Sequence, residues 1–311
     1  MSGLGQAVDD YITLRRSLGF KLRDHPWYLH DFATYLEAAG ASTVTAELAV
    51  AWAQLPGAGA HPSYLCSRLS VVRGFARHLK AIDPATEVPS ADLLHRQVCR
   101  AVPYIYTGTD IAALMAAARS LSPRLRATTY EALVGLLKVT GARVGELINL
   151  DRADVDWDGG VLVLRWTKFN KCRELALHPS TLDALRAYAQ VRDELCPAPK
   201  SASFFVNTLG KRLSYVTVEG VFRRLAGSVG LRARSKSGLP RLHDLRHTFA
   251  CTTLVSWYRA GLDVEAQMPL LSTWLGHTNP DKTFWYISAV PELLALAAQR
   301  REQATRDGRQ P

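Results

Sequence analysis

Cysteine is scarce in this sequence: five residues (Cys66, Cys99, Cys172, Cys196, Cys251) form no C-x-x-C pair, and their odd number cannot pair off internally. This argues against a disulfide framework and a zinc motif, and for reduced thiols in a reducing compartment. Long apolar runs are missing as well. Stretches such as Ile111 to Ala118 fall far short of the roughly 18 consecutive residues a membrane-spanning helix needs, so no transmembrane segment is expected. The opening MSGLGQAVDD has no basic segment followed by an apolar run, so nothing suggests export, and a cytoplasmic protein is expected. No internal repeat or low-complexity tract appears. Acidic residues are the minority, 28 against 38 basic, which leaves a net charge of +10. A polyanion is the natural partner, although charge alone does not choose between nucleic acid and an acidic membrane.

What is present is enough apolar material, 48% of 311 residues, for more than one hydrophobic core, and two domains are expected. Residues 1–88 read as a small helical module. Val8, Tyr11, Leu14 and Leu18 recur at helical spacing before Gly19; Leu29, Phe32 and Leu36 follow Pro26 and stop at Gly40; a third helix runs from Thr45 to Leu55. In the fourth, Leu65, Leu69, Val72, Ala76 and Leu79 draw a buried stripe. That leaves Arg68, Arg73, Arg77 and Lys80 for the other faces, either as a solvated basic surface or as phosphate contacts. Periodicity lapses between Val88 and Thr109, so residues 89–108 are expected to be a linker.

The second domain, 109–311, opens with a helix capped by Thr109. Tyr130 to Leu150 is a helical region interrupted by Gly141 and Gly145 around Arg143, which suggests close backbone approach there. Val161–Arg165 and Arg173–Leu177 pair as a β-hairpin with residues 166–172 as its turn. Helices resume at Thr181–Arg192, Val216–Val229, Leu242–Tyr258 and from Pro280 onward, with a basic loop at Leu231–Pro240. Pro291–Arg301 reads as a short amphipathic helix carrying Leu293, Leu294 and Leu296, able to pack in cis or on a neighbouring protomer.

His243 and Arg246, three apart in LHDLRH, project from one helix face and suit a phosphate, since arginine gives bidentate charge-assisted hydrogen bonds and histidine exchanges protons near neutral pH. The pair His243 and His247 with Asp244 also imitates a zincin H-E-x-x-H, but Arg246 would stand against the cation and no third ligand is apparent. In LGHTNP a helix ends at Gly276 and another is capped by Asn279, which places Tyr286 nearly two turns into it. Taken singly, Tyr286 reads as core packing, Arg143 as a partner of Glu146 or Asp151, and Lys168 as a solvated lysine of a hairpin turn.

Their company reads differently. The order Arg143, Lys168, His243, Arg246, His277, Tyr286, set in G-A-R-V-G-E-L, T-K, H-D-L-R and L-G-H frames, resembles the tyrosine recombinase or phage integrase family. Lys171 competes with Lys168 for the lysine position. The resemblance implies a mainly α fold with a small β-hairpin or sheet, built from an N-terminal helical, SAM-like core-binding domain and a C-terminal tyrosine recombinase catalytic domain. It implies a site-specific recombinase acting in DNA integration or transposition without metal, ATP or other cofactor. Tyr286 would attack a phosphodiester to leave a 3′-phosphotyrosyl bond. Arg143 and Arg246 would hold the nonbridging oxygens, His243 would take the phenol's proton, Lys168 would protonate the leaving 5′-oxygen, and His277 would bond phosphate. The implied partners are double-stranded recombination sites and three further copies in a homotetramer on synapsed DNA, with no membrane. A noncatalytic DNA-binding member of the fold and a type IB topoisomerase-like relaxase are the alternatives.

Overall fold

The computed structural model describes residues 3–57, 59–94, 102–165, 172–233, 239–277, 279, 281–289 and 291–306. The chain divides into two compact units, Met1–Arg100 and Ala101–Pro311.

The first unit holds four helices, α1 (Gly3–Ser17), α2 (His25–Ala38), α3 (Ala46–Gln54) and α4 (Pro62–Leu79). Local chemistry sets several of their starts: Pro26 sits in the first turn of α2, and the Thr45 hydroxyl accepts from the Leu48 amide at the head of α3. Val8 and Tyr11 of α1, Leu29, Phe32 and Leu36 of α2, Trp52 of α3 and Leu69, Val72, Phe75 and Ala76 of α4 build one core. Each large side chain enclosed in this way contributes roughly 1.5–3 kcal/mol of transfer free energy. Leu14 and Leu18, expected on the buried face of α1, are exposed. The helix ends at Ser17, and Leu4 and Ile12 fill that face instead.

Arg68 also departs from expectation. It is 4% exposed, its guanidinium lies 3.8 Å above the centre of the Trp52 ring, and it donates to the Trp52 carbonyl at 3.1 Å. A planar, weakly hydrated cation can bury in this way on an aromatic face where lysine would not. Arg73 donates to the carbonyls of Pro89 and Ser90, both at 2.7 Å, and ties the following strand of chain to α4. Of the four basic residues on α4 and its C-cap, Arg77 and Lys80 are the exposed ones.

The second unit begins with Tyr104 and Tyr106 buried in its core, ahead of α5 (Gly108–Arg119). The cap of α5 is Thr107, not Thr109: its hydroxyl accepts from the Asp110 amide and Asp110 accepts from the Thr107 amide, a reciprocal box that Thr109 cannot make. Next come α6 (Arg124–Thr140) and α7 (Val144–Ile148), then a three-stranded antiparallel sheet in the order β1 (Val155–Asp156), β2 (Val161–Leu164), β3 (Arg173–Ala176). The expected hairpin is β2 and β3, registered Leu162 to Leu175 and Leu164 to Arg173. β1 is too short to leave a periodic signature. Leu162, Leu164 and Leu175 are buried on one face. Residues 166–171, with Lys168 and Lys171, lie outside the described residues, as do 234–238 of the basic loop.

Helices α8 (Pro179–Leu195), α9 (Tyr215–Ser228), α10 (Asp244–Arg259), α11 (Val264–Leu275), α12 (Asp281–Ala289) and α13 (Pro291–Arg306) complete the unit. α6 packs against α5, α8 and α10, while α10 also meets α11, α12 and α13. In this chain α13 lies in cis on α10: Leu293 is fully buried, and Glu292 pairs with Arg259 at 2.7 Å. Leu294 stays exposed. Among the described residues no helix is long and apolar enough to cross a membrane.

Of the two glycines around Arg143, one meets the expectation of close approach. Gly141 ends α6 at φ +60°, and a Cβ there would run into the Phe249 ring; around Gly145 nothing stands within 4 Å. Gly141→Ala should therefore lower stability by about 2–4 kcal/mol, from a left-handed backbone and an overpacked contact together. Gly145→Ala should cost little. Denaturant unfolding of both variants checks the contrast.

Candidate active site

The site forms where three chain breaks meet: the α6–α7 corner, the start of α10, and the turn between α11 and α12. Gly141 supplies the left-handed residue that ends α6, so Arg143 arrives at the head of α7 as its N-cap. Gly276, at φ +64°, does the same for α11, and its amide and that of His277 donate back to Thr273 and Ser272. Asn279 accepts from the Asp281 amide at 2.8 Å and starts α12, in which Tyr286 is the sixth residue. Asp244, 1% exposed, opens α10 while gripping Arg241 through its backbone amide and guanidinium. His243 is the N-cap of α10 rather than a residue within it, but its backbone angles are already helical, so it keeps the expected register with Arg246.

These corners collect the guanidinium groups. Arg246, 2% exposed, donates to the carbonyls of Gly141 at 2.8 Å and Leu275 at 2.5 Å. Arg143 donates to the Gly276 carbonyl at 2.9 Å and to Glu146 at 2.7 Å. Glu146 in turn takes both terminal nitrogens of Arg173, at 2.9 and 2.7 Å, and the Arg143 amide at 2.8 Å. The guanidinium of Arg173 presses on Gly276 so closely that a Cβ there would overlap it. One carboxylate thus orients two arginines, and two successive carbonyls of the α11 terminus hold two.

Tyr286 is 2% exposed within a cluster of Ala250, Cys251, Leu254, Leu271, Leu275 and Leu293. Its hydroxyl lies 3.1 Å from Nδ1 of His247, and its ring is near-parallel to that of His277 with centroids 6.4 Å apart. Nδ1 of His277 meets the Thr283 hydroxyl at 2.7 Å. The rings of His243 and His247 stand perpendicular, 4.9 Å apart.

Burial and crowded positive charge set the protonation states. Desolvation, then the nearby Arg143, pulls Arg246 down to about 10. His247 falls to about 3 through desolvation and then His243; His277 falls to about 3 through desolvation and then Arg246. His243 shows more surface than either, yet desolvation by its packed flanks and the Arg246 charge also lower it. Both His247 and His277 are therefore neutral at physiological pH, each able to accept or donate one hydrogen bond per ring nitrogen. The Tyr286 phenol is raised by burial, against the pull of Arg246, and is protonated. Such a site offers fixed cations and neutral imidazoles to a monoanion, with a phenol hydroxyl beside them.

Of the six residues expected to act together, Arg143, His243, Arg246, His277 and Tyr286 converge here, and Lys168 lies outside the described residues. Three participants went unrecognised or were only touched on. His247 was considered only as half of a metal motif; its spacing of four from His243 and its place beside Arg246 already put it at this helix end. Arg173 has the same parity along β3 as the buried Leu175, and strand alternation alone points it inward. Glu146 reads from sequence as a partner of Arg143, but its second arginine is a tertiary contact. The zincin-like reading does not match the geometry: Asp244 is engaged by Arg241, and His247 turns Nδ1 to a phenol.

Comparison with known proteins gives a consistent picture. The profile described as the phage integrase family matches residues 105–292. "Putative integrase/recombinase y4rB" of Sinorhizobium fredii (strain NBRC 101917 / NGR234) is 45% identical over 313 residues, covering 99% of each chain. Tyrosine recombinase XerD of Rhizobium meliloti (strain 1021) is 30% identical over 86% of this chain and 84% of its own. Among solved structures, XerH site-specific recombinase bound to palindromic difH substrate superposes with a TM-score of 0.67 at 16% identity, over 90% of this chain and 80% of that one. The Tn1549 transposon integrase in complex with transposon right end DNA gives 0.66 at 18%, over 98% and 100%.

The clamp on Glu146 makes stability depend on pH. Burial alone would raise this carboxyl, but the hydrogen bonds and charges of Arg173 and Arg143 hold it below its ordinary value. A depressed carboxylate contributes stability above its unfolded pKa of about 4.3 and loses it as pH falls through the folded value. Glu146→Gln should therefore be less stable than the parent by about 3–5 kcal/mol at neutral pH, because two arginines are left with one neutral partner. That difference should shrink below about pH 4. Urea midpoints measured from pH 3 to 7 test both the size and the sign.

Proposed function

For a chain that belongs to the phage integrase family, the tyrosine recombinases, we propose that Tyr286 cleaves and rejoins DNA strands at paired recognition sites through a 3′-phosphotyrosyl intermediate, in DNA integration or transposition. One observation carries the reading: the Tyr286 hydroxyl meets His247 at 3.1 Å and feels the charges of Arg246 and Arg143, with the His277 ring beside it, groups brought together from three corners of the fold.

Balanced chemistry follows from these side chains. The Tyr286 Oη–P bond forms as the P–O5′ bond breaks; the phenol's proton passes to a histidine of the His243 and His247 pair, and Lys168 gives a proton to the departing 5′-oxygen. Arg143 and Arg246 bind the nonbridging oxygens and offset the charge that grows on them in the transition state, with His277 adding a hydrogen bond. The phosphotyrosyl ester keeps the energy of the broken bond, so attack by a 5′-hydroxyl of another strand reverses the step without nucleotide hydrolysis. The partner is double-stranded DNA, in keeping with the net charge of +10, and the working assembly is a homotetramer joining two sites. XerH and the Tn1549 integrase, whose fold this chain shares, are DNA-bound in their structures.

Tyr286→Phe should bind its site with unchanged affinity and form no covalent adduct in denaturing gels; full-strength adduct from this variant would sink the assignment. Cleavage of a nicked suicide substrate by the parent protein should persist in EDTA. Strict dependence on an added divalent ion would count against the mechanism.

A further inference from the structure

The phenol's immediate neighbour is His247, which lies outside the set of residues the family resemblance nominated. Nδ1 of His247 stands 3.1 Å from the Tyr286 hydroxyl. His243, the residue expected to receive the phenol's proton, stacks edge-on against the His247 ring at 4.9 Å, and no hydrogen bond among the described residues joins it to Tyr286. We propose that His247 is a catalytic residue that accepts the hydrogen bond of the Tyr286 hydroxyl and takes its proton as Oη bonds to phosphorus. This rests on the reading of Tyr286 as nucleophile and names the acceptor within it.

Three observations support the assignment. The phenol is held protonated by burial, so it is the donor in the pair; Nδ1 of His247 is then the acceptor, and the ring's own proton sits on Nε2. The plane of the imidazole is fixed by neighbours on more than one side, His243 at 4.9 Å and Trp285 at 5.7 Å, so the acceptor lone pair has one direction. A hydroxyl that points its hydrogen into this ring keeps its lone pairs free, and Arg246 also bonds the phenol and lends it its charge. In the step itself the O–H bond breaks and N–H forms on Nδ1, while O–P forms and P–O5′ breaks. On rejoining, the imidazolium returns the proton to the departing phenolate.

The test uses the full chain and a nicked suicide substrate carrying its recognition site, with single-turnover adduct formation and gel-shift affinity measured in parallel. His247→Leu, matched in size but with no acceptor, should slow adduct formation about 100-fold or more with site affinity within about twofold of the parent. His247→Asn places Oδ1 near the position of Nδ1, accepts a hydrogen bond but cannot take the proton, and should stay at least about tenfold slower than the parent. A Leu or an Asn variant that melts as the parent does and cleaves within about threefold of it overturns the proposal. The Tyr286→Phe variant, run alongside, reports on the nucleophile independently, so a failure of the underlying reading is seen as adduct surviving that substitution.

Discussion

Two guanidinium groups brought to one place repel, and the chain corners around Arg143 and Arg246 supply the acceptors that offset that repulsion. The carbonyls of Leu275 and Gly276 at the end of α11 take one nitrogen each from Arg246 and Arg143, the Gly141 carbonyl takes another from Arg246, and Glu146 neutralises one of the charges. Each of these acceptors is an orphan of a helix terminus or a buried carboxylate, groups that themselves require a partner. The arginines and the chain corners satisfy one another. Remove the left-handed glycines and the carbonyls turn away; remove Glu146 and the positive charge is uncompensated.

The same economy of position explains why Tyr286 is buried. Its ring packs with Leu254, Leu271, Leu275 and Leu293, so one hydrophobic cluster secures α10, α11, α12 and α13 and sets the height of the hydroxyl. Only the oxygen reaches the polar side of that cluster, and there it finds His247. Packing fixes the ring and hydrogen bonding fixes the oxygen. A phenol so placed needs no search for its geometry, and the rotamer entropy of alignment is met in folding.

Much of this was legible in the sequence where spacing and chemistry are local. The L-G-H-T-N-P segment carries its own stop and start signals, and Gly276 and Asn279 act in the structure as those signals imply. The β2–β3 pairing followed from alternation alone. What escaped was tertiary in origin. Arg68 was assigned to a basic surface because helical periodicity places a charge by its angle and knows nothing of Trp52 on the next helix. Leu14 and Leu18 satisfied the helical repeat but ran past the end of the core. His247 escaped for a subtler reason: a histidine four residues after another invites a metal reading, and nothing local reveals that a tyrosine thirty-nine residues later turns its hydroxyl to it.

The depressed histidines carry the last step. His247 and His277 are held near 3 by desolvation and by positive neighbours, so neither is a strong base. Binding linkage runs in both directions: a phosphate monoanion that settles between Arg143 and Arg246 offsets the charge opposing protonation, and it raises the proton affinity of both rings by as much as their protonation would raise its own affinity. On the proposed reading, the site gains basicity when the phosphate to be attacked is in place.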